Sequence, residues 1–71
     1  MEIKIKVAER IKKLMVTENI SQRELAKRIN VSSSAVCAWL SGKKEPSIES
    51  LWKLANYFDE TVDYLIGRTE I

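Results

Sequence analysis

A chain of 71 residues with 45% hydrophobic and 31% charged residues predicts one folded domain, residues 1–71, rather than a disordered segment. A disulfide within the chain and a tetrahedral metal site are both excluded, because Cys37 is the single cysteine and histidine is absent. No apolar run approaches the ~18 residues that a membrane span needs, and the start does not resemble a signal peptide. We therefore expect a cytoplasmic protein without a metal, a cofactor or a small-molecule ligand.

Charge is distributed unevenly along the chain. Residues 1–30 carry a formal charge of +4, residues 31–46 carry +1 and residues 47–71 carry −3. A basic first part suits a polyanion that meets one side of the molecule, such as nucleic acid, whereas the alternative is ordinary solvated surface charge.

The first helix is predicted from about Ile5 to Glu18, because apolar residues recur at helical spacing with cationic residues on the other faces. The apolar residues are Val7, Ile11, Leu14 and Met15, and the cationic residues are Arg10, Lys12 and Lys13. Asn19 ends this helix as a residue that tolerates the left-handed conformation. Ser21 and Glu24 then form a capping box that opens the second helix.

The second and third helices have so short a connection that they must cross steeply. Ala26 is small enough for a close crossing, and Asn30 provides the bend because asparagine tolerates a positive φ. A cap at Ser32 opens the third helix, which ends at Gly42. The inward-facing residues of the two helices are Leu25, Ala26, Ile29, Val36, Trp39 and Leu40. This arrangement is a helix-turn-helix, whose second helix fits the major groove of DNA.

Two more helices follow Pro46. Ser47 caps the fourth, with Glu49 in its first turn, and Thr61 caps a short fifth helix that ends at Gly67. The apolar side of the fourth consists of Ile48, Leu51, Leu54, Ala55 and Phe58, widened by Trp52, and that of the fifth of Val62, Leu65 and Ile66. The predicted fold class is all-α, a compact five-helix domain in which helices 2 and 3, residues 21–41, form the helix-turn-helix.

The outward side of the third helix carries small, uncharged residues, which would let its backbone approach base edges closely. Serine hydroxyls can donate to or accept from either kind of base edge, and alanine or cysteine can contact a thymine methyl group. The residues predicted to read bases are Ser32, Ser33, Ser34, Cys37 and Ala38. The alternative is that these short side chains only solvate an exposed helix.

Phosphate contacts are predicted on both sides of this surface. Gln22 begins the second helix, where free N–H groups attract an anion, and Lys43 and Lys44 follow the third helix where the chain leaves the groove. Arg23 and Lys27 either add to these phosphate contacts or are ordinary solvated charges. The residues predicted to bind phosphate are Gln22, Arg23, Ser41, Lys43 and Lys44. Such contacts supply affinity and register, while base contacts supply specificity.

A series of short motifs runs from about residue 8 to residue 67. The motifs are Ile11-x-x-Leu14, Ser21-Gln22-x-Glu24-Leu25-Ala26, Val31-Ser32, Val36-x-x-Trp39, Gly42-Lys43, Pro46-Ser47, Leu51-x-x-Leu54-Ala55 and Val62-Asp63-Tyr64-Leu65-Ile66-Gly67. In type and spacing they resemble the Cro/C1-type helix-turn-helix family (XRE-like, lambda-repressor-like) of phage and bacterial repressors. The resemblance implies a sequence-specific transcriptional regulator, usually a dimer, that binds a near-palindromic operator in double-stranded DNA. It also implies base readers at positions 33, 34, 37 and 38.

Three departures from the family's pattern bear on function. Asn30 stands at the turn, where the family often has glycine. Met15 and Leu40 stand where many members pair an arginine with a glutamate, and a buried ion pair can be exchanged for well-packed apolar residues without loss of stability. The reading side lacks the Gln, Asn or Arg that make bidentate base contacts, so water and DNA shape would contribute more to readout.

Several alternatives stay open at this point. Trp52, Tyr64 and Ile66 either complete the core between helices four and five or form a two-fold dimer interface. Cys37 is either a small groove-facing residue or a thiol whose oxidation blocks DNA entry. The rival to a DNA-binding regulator is an antitoxin or adaptor that uses this fold to contact a protein. An enzyme is not expected, since the sequence lacks histidine, a nucleophile with a nearby base, a glycine-rich phosphate loop and a ligand cluster.

Overall fold

Five α-helices and their connections make up the part of the chain that the computed structural model describes, residues 6–69. In chain order they are α1 (Val7–Glu18), α2 (Gln22–Arg28), α3 (Ser33–Ser41), α4 (Ile48–Phe58) and α5 (Val62–Ile66). The prediction of an all-α fold with five helices is confirmed. The predicted first-helix start at Ile5 lies outside the described residues. In the structure α1 begins at Val7, after Lys6, whose backbone N–H donates to the carbonyl of Ile66 over 3.3 Å.

Each of the four later helices begins with the hydroxyl cap that the sequence predicts. The capping oxygen accepts the backbone N–H three residues further along over 3.0–3.1 Å, which stabilises a helix by about 1 kcal/mol. The capping residues are Ser21, Ser32, Ser47 and Thr61. Left-handed residues end the helices as expected at Asn19, Asn30, Gly42 and Gly67, and an unpredicted one, Asp59, ends α4.

Half of the predicted capping box forms at the start of α2. The Oγ of Ser21 accepts the N–H of Glu24, but the Glu24 carboxylate binds the Nε of Arg28 at 2.8 Å. That hydrogen bond from Arg28 holds the pKa of the Glu24 carboxyl below its usual value. The stabilisation from this exposed pair is therefore present at neutral pH and is lost as the pH falls through the lowered pKa.

One hydrophobic core joins all five helices. Its buried members are Val7, Ile11, Leu14, Leu25, Ala26, Ile29, Val36, Trp39, Leu54, Phe58, Tyr64 and Leu65. Among residues 6–69, no helix combines the length and the apolarity needed to cross a membrane.

Arg10 lies in this core, although the sequence placed it on an outward face of the first helix. Its residue is 6% exposed, and its guanidinium carbon lies 4.5 Å from the centroid of the Tyr64 ring. A cation over an aromatic face is attracted by the ring quadrupole, so this contact links α1 to α5. The prediction of an outward-facing Arg10 is wrong, because the periodicity of α1 gives no information on the Tyr64 ring that α5 places against it. Tyr64 is 7% exposed and therefore completes the core, which was one of the two alternatives for this residue; the other was a dimer interface.

Three apolar residues assigned to the core by sequence are instead exposed. Ile48 is 87% exposed and Trp52 is 64% exposed, and Val62 is also accessible. Ile48 and Val62 are the first residues of their helices, and Val62 is the less exposed of the two at 38%. Trp52 lies about 160° around α4 from Leu54, on the side of the helix that faces away from the buried stripe of Leu54 and Phe58. The alternative in which Trp52 widens the buried stripe and completes the core is therefore wrong, and the alternative of a dimer interface stays a prediction for this residue.

The predicted helix-turn-helix is formed by α2 and α3. The N–H of Val31 donates to the carbonyl of the buried Ala26 over 2.9 Å, and Asn30 between them has a φ of 59°. Val36 and Trp39 of α3 are buried where α3 packs against α1 and α2. The inner side of α3 is thus fixed to the core, and its outer side faces solvent.

Candidate nucleic-acid interface

The outer side of α3 is a continuous surface of short side chains. Ser33, Ser34 and Cys37 are exposed and Ala38 is half-buried, as the sequence predicted for this side. The helix Ser33–Ser41 contains no charged residue and is about 14 Å long at ~1.5 Å per residue. The surface can therefore lie close to another molecule without desolvating a charge.

The three serines at the start of α3 differ in their hydrogen bonds. The Oγ of Ser32 accepts the N–H of Ala35 over 3.1 Å and lies 3.2 Å from the Oγ of Ser34. The Ser33 hydroxyl has no hydrogen-bond partner among residues 6–69. Both its donor and its acceptors are therefore available to a base edge, while Ser32 is engaged in capping the helix.

Replacing Ser32 with alanine is expected to reduce stability more than sequence preference. Loss of the cap costs about 1 kcal/mol, which lowers Tm by about 4–8 °C in a domain of this size. Thermal unfolding followed by circular dichroism measures the change. Ser34→Ala is the matched control, because the Ser34 hydroxyl bonds to Ser32 rather than to a helix N–H. Equal Tm values for the two variants would contradict the capping role.

Two lysines are anchored at the C-terminal end of α3. The backbone N–H groups of Lys43 and Lys44 both donate to the carbonyl of Ala38, over 3.0 and 3.3 Å. Gly42, at a φ of 79°, turns the chain there, and both lysine side chains are exposed. The backbone of both lysines is thus fixed beside the outer side of α3.

Ser41 is less available than the sequence suggested. Its hydroxyl donates to the carbonyl of Ala38 over 3.2 Å. A phosphate oxygen requires a donor, and serine has one. A phosphate contact by Ser41 would therefore require this bond to break.

The opposite edge of the surface is formed by α2. Gln22 is half-buried in its first turn, and Arg23 and Lys27 are exposed. Arg23 and Lys27 line an open groove of about 570 Å³ that reaches Ser33 at the start of α3. Glu24 lines the same groove, so a carboxylate of the chain itself partly offsets these two cations.

Met15 on α1 and Leu40 on α3 stand where the resemblance led us to expect apolar residues in place of an ion pair. Both are partly buried against the core and line one open groove with Ile20. Cys37 is an exposed free thiol, and in the described part of the chain no three Asp, Glu, Cys or His side chains are grouped as metal ligands would be.

Comparison with known proteins decides the family. A family model described as helix-turn-helix, HTH_3, matches residues 11–65. The chain belongs to this helix-turn-helix family. The match begins within α1 and ends within α5, so it includes the whole arrangement that presents α3.

Two similar proteins among the curated relatives are transcriptional regulators of bacteria. The chain is 35% identical over 63 residues to the HTH-type transcriptional activator BcrR of Enterococcus faecalis, covering 89% of this chain and 31% of that protein. It is 35% identical over 60 residues to the HTH-type transcriptional regulator AnsR of Bacillus subtilis, covering 84% of this chain and 52% of that protein. The chain thus spans about a third to a half of the length of these relatives.

Solved structures confirm the repressor-like fold. A transcriptional regulator from Listeria innocua superposes with a TM-score of 0.84 at 32% identity, covering 92% of this chain and 61% of that one. The P22 c2 repressor, solved in complex with a synthetic operator, superposes with a TM-score of 0.80 at 29% identity, covering 93% of this chain and 96% of that one. The five helices therefore have the arrangement of a phage repressor's DNA-binding domain.

Proposed function

We propose that the chain is a sequence-specific DNA-binding transcriptional regulator that reads the major groove with α3. The observation that carries the proposal is the uncharged outer side of α3, where the Ser33 hydroxyl is unpaired among the described residues and Lys43 and Lys44 stand at the helix end. A major groove about 12 Å wide accepts an α-helix, and short side chains allow close approach. The operator complex of the similar P22 c2 repressor supports the same use of the fold.

Base reading and phosphate binding fall to different residues in this proposal. Ser33, Ser34, Cys37 and Ala38 contact base edges, with Ser33 supplying the most available hydrogen bond. Phosphates on either side are bound by Lys43, Lys44, Arg23 and Gln22. Since none of the base readers can make a bidentate contact, ordered water and DNA shape supply part of the specificity.

We further infer that two copies bind a near-palindromic operator. Tyr64 is buried, so a two-fold contact would draw on other apolar residues. Val62 and Ile66 are one turn apart on α5 and are both accessible in part. A two-fold dimer that places both α3 helices in successive major grooves must hold them about 34–36 Å apart, one turn of DNA.

Regulation by repression needs no surface beyond these. A protein that occupies an operator excludes other proteins from it, so repression needs DNA binding alone. Catalysis would instead need a set of reactive side chains. The rival proposal is an antitoxin or adaptor that contacts a protein with the same outer side of α3.

Binding to labelled duplexes of random sequence, followed by fluorescence anisotropy at increasing salt, separates these proposals. DNA binding predicts that log K falls linearly with log salt, by about 0.9 for each phosphate contact. Contacts by Arg23, Lys43 and Lys44 therefore predict a slope of about −2.7 per protomer. Failure to bind any duplex at low salt would support the adaptor instead.

Replacing Ser33 with alanine is expected to change sequence preference. Losing one hydrogen bond to a base edge costs about 1 kcal/mol on the preferred duplex, about a fivefold loss of affinity, and almost nothing on random duplexes. Titrations of both duplexes with wild type and variant measure the difference. Equal losses on the two duplexes would contradict base reading by Ser33, and an unchanged Tm excludes an effect through folding.

A further inference from the structure

A shallow groove lies between α4 and the C-terminal end of α2. Trp52, Lys53 and Asn56 line it from α4, and Arg28 and Asn30 line it from the end of α2 and the turn that follows. Its volume is about 340 Å³, and none of the residues proposed to contact DNA lines it. A ligand in this groove could therefore be bound at the same time as DNA.

The apolar part of the groove is centred on Trp52. Trp52 is 64% exposed. A partner that covered this side chain would gain from its burial, because a covered aromatic side chain buries about 150–250 Å². Tryptophan is also enriched among the residues that dominate binding energy in interfaces. Tyr57 continues the apolar surface inward. The exposed amides of Asn30 and Asn56 stand at the edges, and each can both donate to and accept from a peptide backbone.

The charged part of the groove is cationic. The Nε of Arg28 donates to Glu24, and its other N–H donors have no partner among the described residues. Arg28 forms an ion pair with Glu24, whereas Lys53 makes no ion pair within residues 6–69, and no acidic residue lines the groove. The complementary ligand therefore carries carboxylates beside an apolar group.

A second copy of this chain is a poor occupant. Two-fold pairing through the groove would place Arg28 and Lys53 of both copies against each other, and like charges across an interface are unfavourable. Insertion of the acidic end of one copy, around Asp59 and Asp63, into the groove of the next would be heterologous and would not close into a dimer.

We propose that this groove binds an acidic peptide segment of another protein, which places an apolar side chain against Trp52 and carboxylates against Arg28 and Lys53. The domain then has two separate binding surfaces, α3 for DNA and this groove for a protein partner. Occupation of the groove does not depend on the proposed DNA binding, so each can be tested without the other.

Selection of short random peptides displayed on phage against the full chain, with Trp52→Ala as the counter-target, tests this proposal. The enriched peptides are expected to carry Asp or Glu on both sides of an aromatic or aliphatic residue. Synthetic copies should bind Trp52→Ala and Lys53→Glu at least about tenfold more weakly than wild type, as for residues at the centre of an interface. DNA binding and Tm of both variants should match those of the wild type.

Ile48→Ala is the matched control, because Ile48 is more exposed than Trp52 on the same helix but does not line the groove. It should leave peptide affinity unchanged. Enrichment of basic or uncharged peptides, or of peptides that bind Trp52→Ala equally well, would overturn the proposal. So would self-association that Trp52→Ala abolishes in sedimentation velocity, or a single-stranded oligonucleotide that competes with the peptide.

Discussion

The double substitution Lys43→Ala/Lys44→Ala is expected to weaken binding to every duplex sequence by about a hundredfold. Each lysine contributes a charge-assisted contact of about 1.5 kcal/mol to a phosphate, and about 1.4 kcal/mol is a factor of ten. The slope of log K against log salt should also become shallower by about 2 for each bound protomer, since each protomer loses two phosphate contacts. Anisotropy titrations of preferred and random duplexes at several salt concentrations measure both quantities.

The control for this experiment removes the same charge elsewhere. Lys13 on α1 and Arg68 after α5 are both exposed, and Lys13→Ala/Arg68→Ala should change affinity much less. The ratio of affinities for preferred and random duplexes should be preserved in the Lys43/Lys44 variant, because phosphates carry no sequence information. Unchanged affinity in that variant would mean that α3 does not enter the groove in the proposed orientation.

The substitution Ala26→Leu is expected to damage both stability and DNA binding. Ala26 is buried at the crossing of α2 and α3, and its carbonyl accepts the N–H of Val31. Extra methylene groups in a packed site cost about 1–3 kcal/mol, and each kcal/mol lowers Tm by about 4–8 °C in a domain of this size. Because the added volume separates the two helices, affinity should fall further than the unfolded fraction explains.

Thermal unfolding and anisotropy well below Tm measure the two effects of Ala26→Leu separately. Lys27→Leu adds the same side chain at the next, exposed position of α2, and its stability should stay within about 0.5 kcal/mol of wild type. If Ala26→Leu melted like the wild type, the crossing of α2 and α3 would not depend on a small residue at this position.

Helix ends could be predicted from the sequence because their causes are local. A cap needs a hydroxyl and an N–H three residues away, as at Ser47, and a left-handed end needs a residue such as Asn19 or Gly42. The contact between Arg10 and Tyr64 depends on how α1 and α5 pack, and helical periodicity gives no information on it. For the same reason the sequence marked Trp52 as apolar but could not show that it is 64% exposed.

Some features of the candidate site could likewise be predicted from the sequence, and others could not. Periodicity placed Ser33, Ser34, Cys37 and Ala38 together on the outer side of α3, which the structure places as expected. It could not show that the Ser33 hydroxyl has no partner among residues 6–69, whereas the Ser41 hydroxyl donates to the carbonyl of Ala38. Hydrogen bonds at the two ends of α3 decide which serine hydroxyl is available to a ligand, and these bonds depend on the three-dimensional structure.

The central claim is that the outer side of α3 reads the sequence of duplex DNA. Repeated selection of bound molecules from a pool of random duplexes by the wild-type chain tests it most directly. The proposal predicts convergence on two related, inverted half-sites whose centres lie about 10–10.5 base pairs apart. A pool that binds the chain but remains as random after selection as before it would contradict the claim.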